Sequence, residues 1–129
     1  MNRKMILPGI LLVVCTAGPI VGTLAYEAYR TRDLTAEIIA RTPEKGNFAP
    51  QRVSVAAGQK VKLRVRNVDT VTHGFAIPAL GVDAGEIKAG HTATVEFTPQ
   101  AAGQYDYYCT VWCSEFHLQM RGILDVVAR

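Results

Sequence analysis

This chain of 129 residues has little excess charge where a binding surface would need it. The net charge is +3, of which the first 41 residues supply +2 (five basic, three acidic) and the remaining 88 only +1 (nine basic, eight acidic). A near-neutral body of that size carries no electrostatic footprint for nucleic acid. There is no internal repeat and no low-complexity segment. No carboxylate dyad, nucleophile–base pair or substrate-binding motif stands out, which argues against an enzyme acting alone. Charge is missing altogether from Met5 to Tyr26, and Gly and Pro are missing from residues 27–41. Beyond residue 41 there are only two cysteines and one methionine, and all three fall between residues 109 and 120.

The uncharged stretch is about 22 residues long. As a helix rising 1.5 Å per residue it spans roughly 33 Å, enough to cross a bilayer core. Thr16-Ala-Gly18 would suit a signal cleavage site, but Pro19 follows it directly. The reading is therefore an uncleaved transmembrane anchor over residues 1–29, with Cys15 as a small apolar residue within it. Arg3 and Lys4 place the N-terminus in the cytoplasm, and Tyr26 and Tyr29 sit where an interfacial aromatic belt would lie. Leu34, Ile38 and Ile39 give a short helical stripe, so residues 30–46 read as a juxtamembrane helix or linker ending near Pro43.

Residues 47–129 read as all-β. Gln51–Val55 alternates. Lys60–Arg66 is the clearest strand, with Val61, Leu63 and Val65 on one face and Lys60, Lys62, Arg64 and Arg66 on the other. That cationic face is a solvated surface or a dock for an acidic partner. Asn67-Val-Asp69 reads as a turn, His73–Ile77 as a strand, and Ala79–Gly90, with three glycines, as a loop. His91–Thr98 alternates again, and His91 reads as a surface or turn histidine. Gly103–Tyr108, with Tyr105, Tyr107 and Tyr108 as strand packing residues, and Ile123–Val127 complete the set. Short strands at this spacing suggest a small Greek-key sandwich.

Between the last two strands lies Cys109-Thr-Val-Trp-Cys113-Ser-Glu-Phe-His117-Leu-Gln-Met120. Two thiols, an imidazole and a thioether within a dozen residues form a soft donor set, and the thioether favours copper over zinc. A disulfide, a structural zinc site, and core roles for His117 and Met120 remain open on the residues alone. Trp112 and Phe116 are expected to pack beside the site and limit water there.

The spacing Cys-x3-Cys-x3-His-x2-Met, with His73 upstream in Thr72-His-Gly-Phe, resembles the dinuclear copper (CuA) motif. That motif occurs in subunit II of haem-copper oxidases and in the C-terminal domain of nitrous-oxide reductases. The resemblance covers roughly residues 47–127 and implies an all-β, cupredoxin-like Greek-key β-sandwich behind one N-terminal transmembrane helix. It further implies two copper ions bridged by the thiolates of Cys109 and Cys113. His73 and Met120 would complete one copper, and His117 with the backbone carbonyl of Val111 the other. The implied function is electron transfer, without a catalytic site of its own, as a subunit II-like part of a membrane respiratory complex. Its partners would be an electron donor such as a cytochrome c and a haem-copper oxidase catalytic subunit, with the copper domain in the periplasm or outside the cell. The alternative is a periplasmic protein that delivers or stores copper. Thr-Val-Trp between the cysteines, where oxidase subunits carry Ser-Glu, leans towards the nitrous-oxide reductase version.

Overall fold

A computed structural model of the chain describes residues 3–30 and 33–128. Met1 and Asn2 of the basic start, together with Arg32, lie outside the described residues, as do the side chains of Arg3, Lys4, Tyr29 and Arg30. The chain divides into two compact units, one ending at Arg32 and the other beginning at Asp33.

The first unit is a single helix, α1, Arg3–Arg30. Its segment Pro8–Ala28 has a mean hydropathy of 1.9 and is long and apolar enough to cross a membrane. The side chains from Ile10 to Leu24 are exposed, as expected of a helix made for apolar surroundings. Pro8 and Pro19 lie inside it. The hydroxyl of Thr23 donates to Pro19 O at 2.9 Å and that of Thr16 to Leu12 O at 2.8 Å, so polar side chains in the apolar stretch turn back on the helix.

The second unit is a two-layer β-sandwich. Its strands are β1 (Asp33–Ala40), β2 (Phe48–Ala49), β3 (Arg52–Ala56), β4 (Lys60–Asn67), β5 (His73–Ile77), β6 (Val82–Ile87), β7 (Thr92–Phe97), β8 (Gly103–Tyr108) and β9 (Arg121–Val127). One sheet has the order β2-β1-β4-β7 and the other β3-β9-β8-β5-β6. Strand β4 alternates as its sequence requires, with Val61, Leu63 and Val65 buried and the four cations outward. Three of those cations are met by carboxylates from the neighbouring strands. Lys60 and Lys62 lie 3.3 and 3.6 Å from Glu96, and Arg64 lies 3.8 Å from Glu37. The face is solvated, with Lys60, Lys62 and Arg64 paired to carboxylates.

Two stretches depart from the sequence reading. Residues 33–40 are a strand, not the helix or linker expected over 30–46. The segment pairs in parallel with β4 along eight residues, from Asp33 opposite Lys60 to Ala40 opposite Asn67. Leu34, Ala36, Ile38 and Ala40 alternate inward, with Ile38 and Ala40 fully buried. The helical spacing of Leu34 and Ile38 is equally a strand spacing, and the two small alanines hid the period of two. The expected loop over 79–90 contains β6. Val82 and Ile87 anchor its two ends in the core, while Gly85, at φ +64°, breaks the alternation between them.

The core between the sheets centres on three aromatic rings. Phe48, Phe75 and Tyr107 meet at centroid distances of 5.3–5.7 Å. The Tyr107 hydroxyl donates to Pro50 O at 2.7 Å, which satisfies the polar end of a fully buried ring. Gly122 on β9 is obligatory there, because a Cβ would collide with the Tyr107 ring. Of the other two tyrosines of β8, Tyr105 is half-buried and Tyr108 is 42% exposed.

Candidate metal centre

Two segments bring the donor side chains together. β5 opens on His73, which is completely buried. The other segment is the loop from Cys109 to Met120, between β8 and β9. Its ends are tied by the Cys109 N–H, which donates to Met120 O at 3.0 Å. A single 3-10 turn, His117–Gln119, folds the return. Asn47 Nδ2 donates to Gln119 O at 2.9 Å and pins that turn to the sandwich.

The loop end meets His73 at close range. His73, Cys109 and Cys113 offer donor atoms that all lie within 4.8 Å of one another. Cys109 Sγ stands 3.9 Å from His73 Nδ1 and 3.2 Å from the Val111 carbonyl oxygen. Cys113 Sγ stands 3.6 Å from His117 Nδ1 and 3.6 Å from Met120 Sδ. All six positions singled out from the sequence therefore converge at one end of the sandwich. Both thiols are free. Met120 and Cys109 are buried, whereas Cys113 and His117 are half-buried. A cleft of roughly 420 Å³ opens onto Cys109, His117 and Met120.

The close approach of the two segments depends on a glycine. Gly74, directly after His73, donates its N–H to Cys109 Sγ at 3.3 Å. A Cβ at this position would collide with Thr110 Oγ1 and stand 3.0 Å from Thr110 N. Only a residue without a side chain lets β5 lie this near the thiol.

Electrostatics fit a cation. Burial, and then the neighbouring Cys109 thiol, push the Cys113 thiol up to about 12. Two adjacent thiolates are costly in an apolar pocket, and a bound cation inverts that cost. Burial also pushes His73 below its ordinary value, against the opposing pull of Asp69, so its imidazole is neutral and able to act as a ligand. The donors are soft sulfur and imidazole, and carboxylates are absent from the cluster of His73, Cys109 and Cys113. That chemistry suits copper and does not suit magnesium or calcium.

The aromatic residues of the loop differ from expectation. Trp112 and Phe116 do not seal the site from within, since they are 71% and 45% exposed. The Trp112 ring lies 5.5 Å from the His117 ring, tilted by 40°, and so flanks the imidazole from the solvent side. His91 is exposed, with Nδ1 3.0 Å from Ala89 O, as a turn histidine should be.

One residue beside the site escaped the sequence reading. Asp69 belongs to a stretch that reads as a turn, but its carboxylate is buried and Oδ2 lies 3.5 Å from His73 Nε2. Burial would raise this carboxyl. Hydrogen bonds from the Lys45 ammonium and from the Thr42 and Thr70 amides outweigh that and hold it well below the usual carboxylate range. The available signal was a carboxylate four residues before a candidate ligand.

Comparison with known proteins agrees with this architecture. A family model described as a cupredoxin-like domain matches residues 12–126. The nitrous-oxide reductase of Cupriavidus necator is 33% identical over 100 residues, which cover 75% of this chain and 15% of that protein. The chain thus spans only about a seventh of the length of this relative. Among solved structures, auracyanin A, a "blue" copper protein of Chloroflexus aurantiacus, superposes with a TM-score of 0.59 at 25% identity, covering 74% of this chain and 99% of that one. The periplasmic domain of cytochrome oxidase subunit II from Bradyrhizobium japonicum superposes with a TM-score of 0.61 at 19% identity, covering 74% and 86%. The family match runs through both sheets and the ligand loop, and this chain belongs to the cupredoxin-like domain family, whose fold implies copper for the thiols and imidazole gathered here.

Proposed function

We propose that this chain is a membrane-anchored electron-transfer domain with a dinuclear copper (CuA) centre, working as a subunit II-like component of a respiratory oxidase or reductase complex. One observation carries the reading: each thiol has its own pair of further donors. Cys109 is flanked by His73 and the Val111 carbonyl, and Cys113 by His117 and Met120. A single-copper site needs one thiolate, and a second metal would account for the second thiol and its neighbours. In this reading Cys109, Cys113, His73, Met120, His117 and the Val111 carbonyl would together hold the two coppers.

Bound copper supplies one-electron redox chemistry. The chain's part is to leave no open position for a substrate and to hold the donors rigidly, so that little rearrangement accompanies a change of charge. His73, Cys109 and Met120 are fixed in the sandwich core, which serves that end. Helix α1 is the anchor, with the N-terminus cytoplasmic and the copper domain in the periplasm or outside the cell. The electron donor would be a cytochrome c or similar redox protein, and the acceptor a haem-copper oxidase catalytic subunit.

The test is copper content together with electron paramagnetic resonance of the full chain in detergent. Two coppers per chain, with hyperfine splitting from one electron shared over both nuclei, are expected. One copper with single-nucleus splitting would falsify the dinuclear reading. The half-exposure of Cys113 and His117, with His117 on the cleft, also suits a periplasmic copper-delivery or storage protein. That role predicts rapid exchange with chelators and no stable coloured oxidised form.

A further inference from the structure

The buried surroundings of His73 contain a charged chain that runs to the surface. His73 Nε2 is fully buried, and no described residue makes a well-aligned hydrogen bond to it. Asp69 Oδ2 stands 3.5 Å away, on the side of the ring opposite the thiols. This carboxylate is itself tightly held. Oδ2 accepts from the Thr42 N–H at 2.9 Å, and Oδ1 accepts from the Thr70 N–H at 2.8 Å and from Lys45 Nζ at 2.9 Å. The Asp69 N–H donates to Asn67 Oδ1 at 2.9 Å, and Asn67 Nδ2 in turn donates to Val71 O and Ile87 O. The Asp69 side chain is 2% exposed, whereas that of Lys45 is 58% exposed. A carboxylate with this many fixed partners cannot turn away, and the imidazole proton is its natural remaining donor.

We propose that Asp69 is a positioning residue for His73: its carboxylate accepts from the Nε2–H, which keeps the proton on that nitrogen and leaves Nδ1 bare and aimed at the thiols, and Lys45 moderates the negative charge it imposes on the ligand. Metal-bound imidazoles are commonly oriented and made more basic by a carboxylate on their far nitrogen. Here the carboxylate is also paired with a surface cation, so the electron density of a buried ligand is set partly by a side chain that solvent reaches. The inference rests on His73 being a copper ligand. It does not depend on whether the centre has one copper or two.

The two charges act in opposite directions. Removing the anion favours reduced copper, and removing the cation favours oxidised copper. Asp69→Asn should therefore raise the reduction potential and Lys45→Met should lower it, each changing the oxidised-to-reduced ratio several-fold at a fixed poise. Asp69→Ala should also weaken copper retention against a chelator by roughly 10- to 100-fold, the usual cost of losing such a partner. Potentiometric titration of the full copper-loaded chain in detergent reads the shifts, and circular dichroism checks that each variant folds. Lys45→Met leaves the hydrogen bonds from the Thr42 and Thr70 N–H groups to Asp69 in place, so it decides the matter even where the Asp69 variants fold poorly. Shifts of the same sign in both variants, or none in either, overturn the proposal. His73→Ala serves as a separate control. If its copper spectrum equals that of the unaltered chain, His73 is not a ligand and the underlying reading fails. If its spectrum changes while the Asp69 and Lys45 variants stay at the original potential, only the role given to Asp69 fails.

Discussion

The two sulfur atoms of the centre sit in unlike surroundings. Cys109 leaves the end of β8, is 4% exposed, and is held by the Gly74 N–H and by its own N–H to Met120 O. Cys113 is half-buried in the middle of the loop, next to a half-buried His117 and an exposed Trp112. One half of the site is therefore built by the sheets and the other by a single loop segment. The core-side half has its geometry fixed by packing, while the loop-side half faces solvent, where a partner or a chelator can reach it. Met120 links them, because it lies in the loop but is buried completely in the core.

Substitutions should separate the two halves. The largest effect is expected for Cys109→Ser or Cys113→Ser, each of which should abolish the proposed dinuclear site. Copper analysis and paramagnetic resonance check this, and survival of two coppers after loss of either thiol would refute bridging. Ile38→Ala should come next. The side chain is fully buried on β1, and its truncation should cost about 2–4 kcal/mol in denaturant unfolding. Ile38 is not itself a candidate donor, so copper stoichiometry should be preserved in the folded fraction. A loss near zero would mean that residues 33–40 are not a core strand. Gly74→Ala should cost about 1–3 kcal/mol through overpacking against Thr110 and should loosen copper as well. Adding Thr110→Ala should recover part of the loss, since the colliding hydroxyl is then gone.

Copper uptake should depend on pH in a defined direction. The Cys113 thiol is pushed up to about 12, so at neutral pH it is protonated and must give up that proton to bind metal. Affinity should rise with pH across the neutral range, by about tenfold per unit for each proton released. Competition with a chelator at several pH values measures it, and a flat profile would mean that no thiol proton is displaced. The mildest effect is expected for Met120→Leu. The two side chains are close in volume, so the fold should lose under about 1.5 kcal/mol. Two coppers should remain, with a shifted potential, because only the thioether donor has changed. Loss of one copper would instead make Met120 indispensable to the site.

Much of this was legible in the residues. The alternation of Lys60–Arg66 gave β4 because a strand with one buried face must repeat every two residues. The uncharged run gave a helix long enough for a bilayer. Cys109, Cys113, His117 and Met120 stood out as candidate donors because soft ligands clustered at fixed spacing are rare outside metal sites, whereas His73 and the Val111 carbonyl came only from the resemblance to the CuA motif. Other features were hidden for physical reasons. In β1 alanines occupy two of the four inward positions, so its period was masked, and its partner β4 lies some 27 residues later along the chain. In β6 a glycine at positive φ interrupts the pattern.

What the sequence determined by itself, then, is the donor inventory, the apolar span and the strands whose two faces differ sharply in polarity. These follow from local chemistry and from short-range spacing. Only the tertiary structure decided which thiol lies in the core and which in the loop, that Trp112 flanks His117 from outside, and that Asp69 reaches His73 from behind. Those facts depend on which strands become neighbours: Lys45 meets Asp69 across 24 residues and Cys109 meets His73 across 36. Contacts at such separations are selected by how two sheets pack around one core, and no local pattern in the chain records that choice.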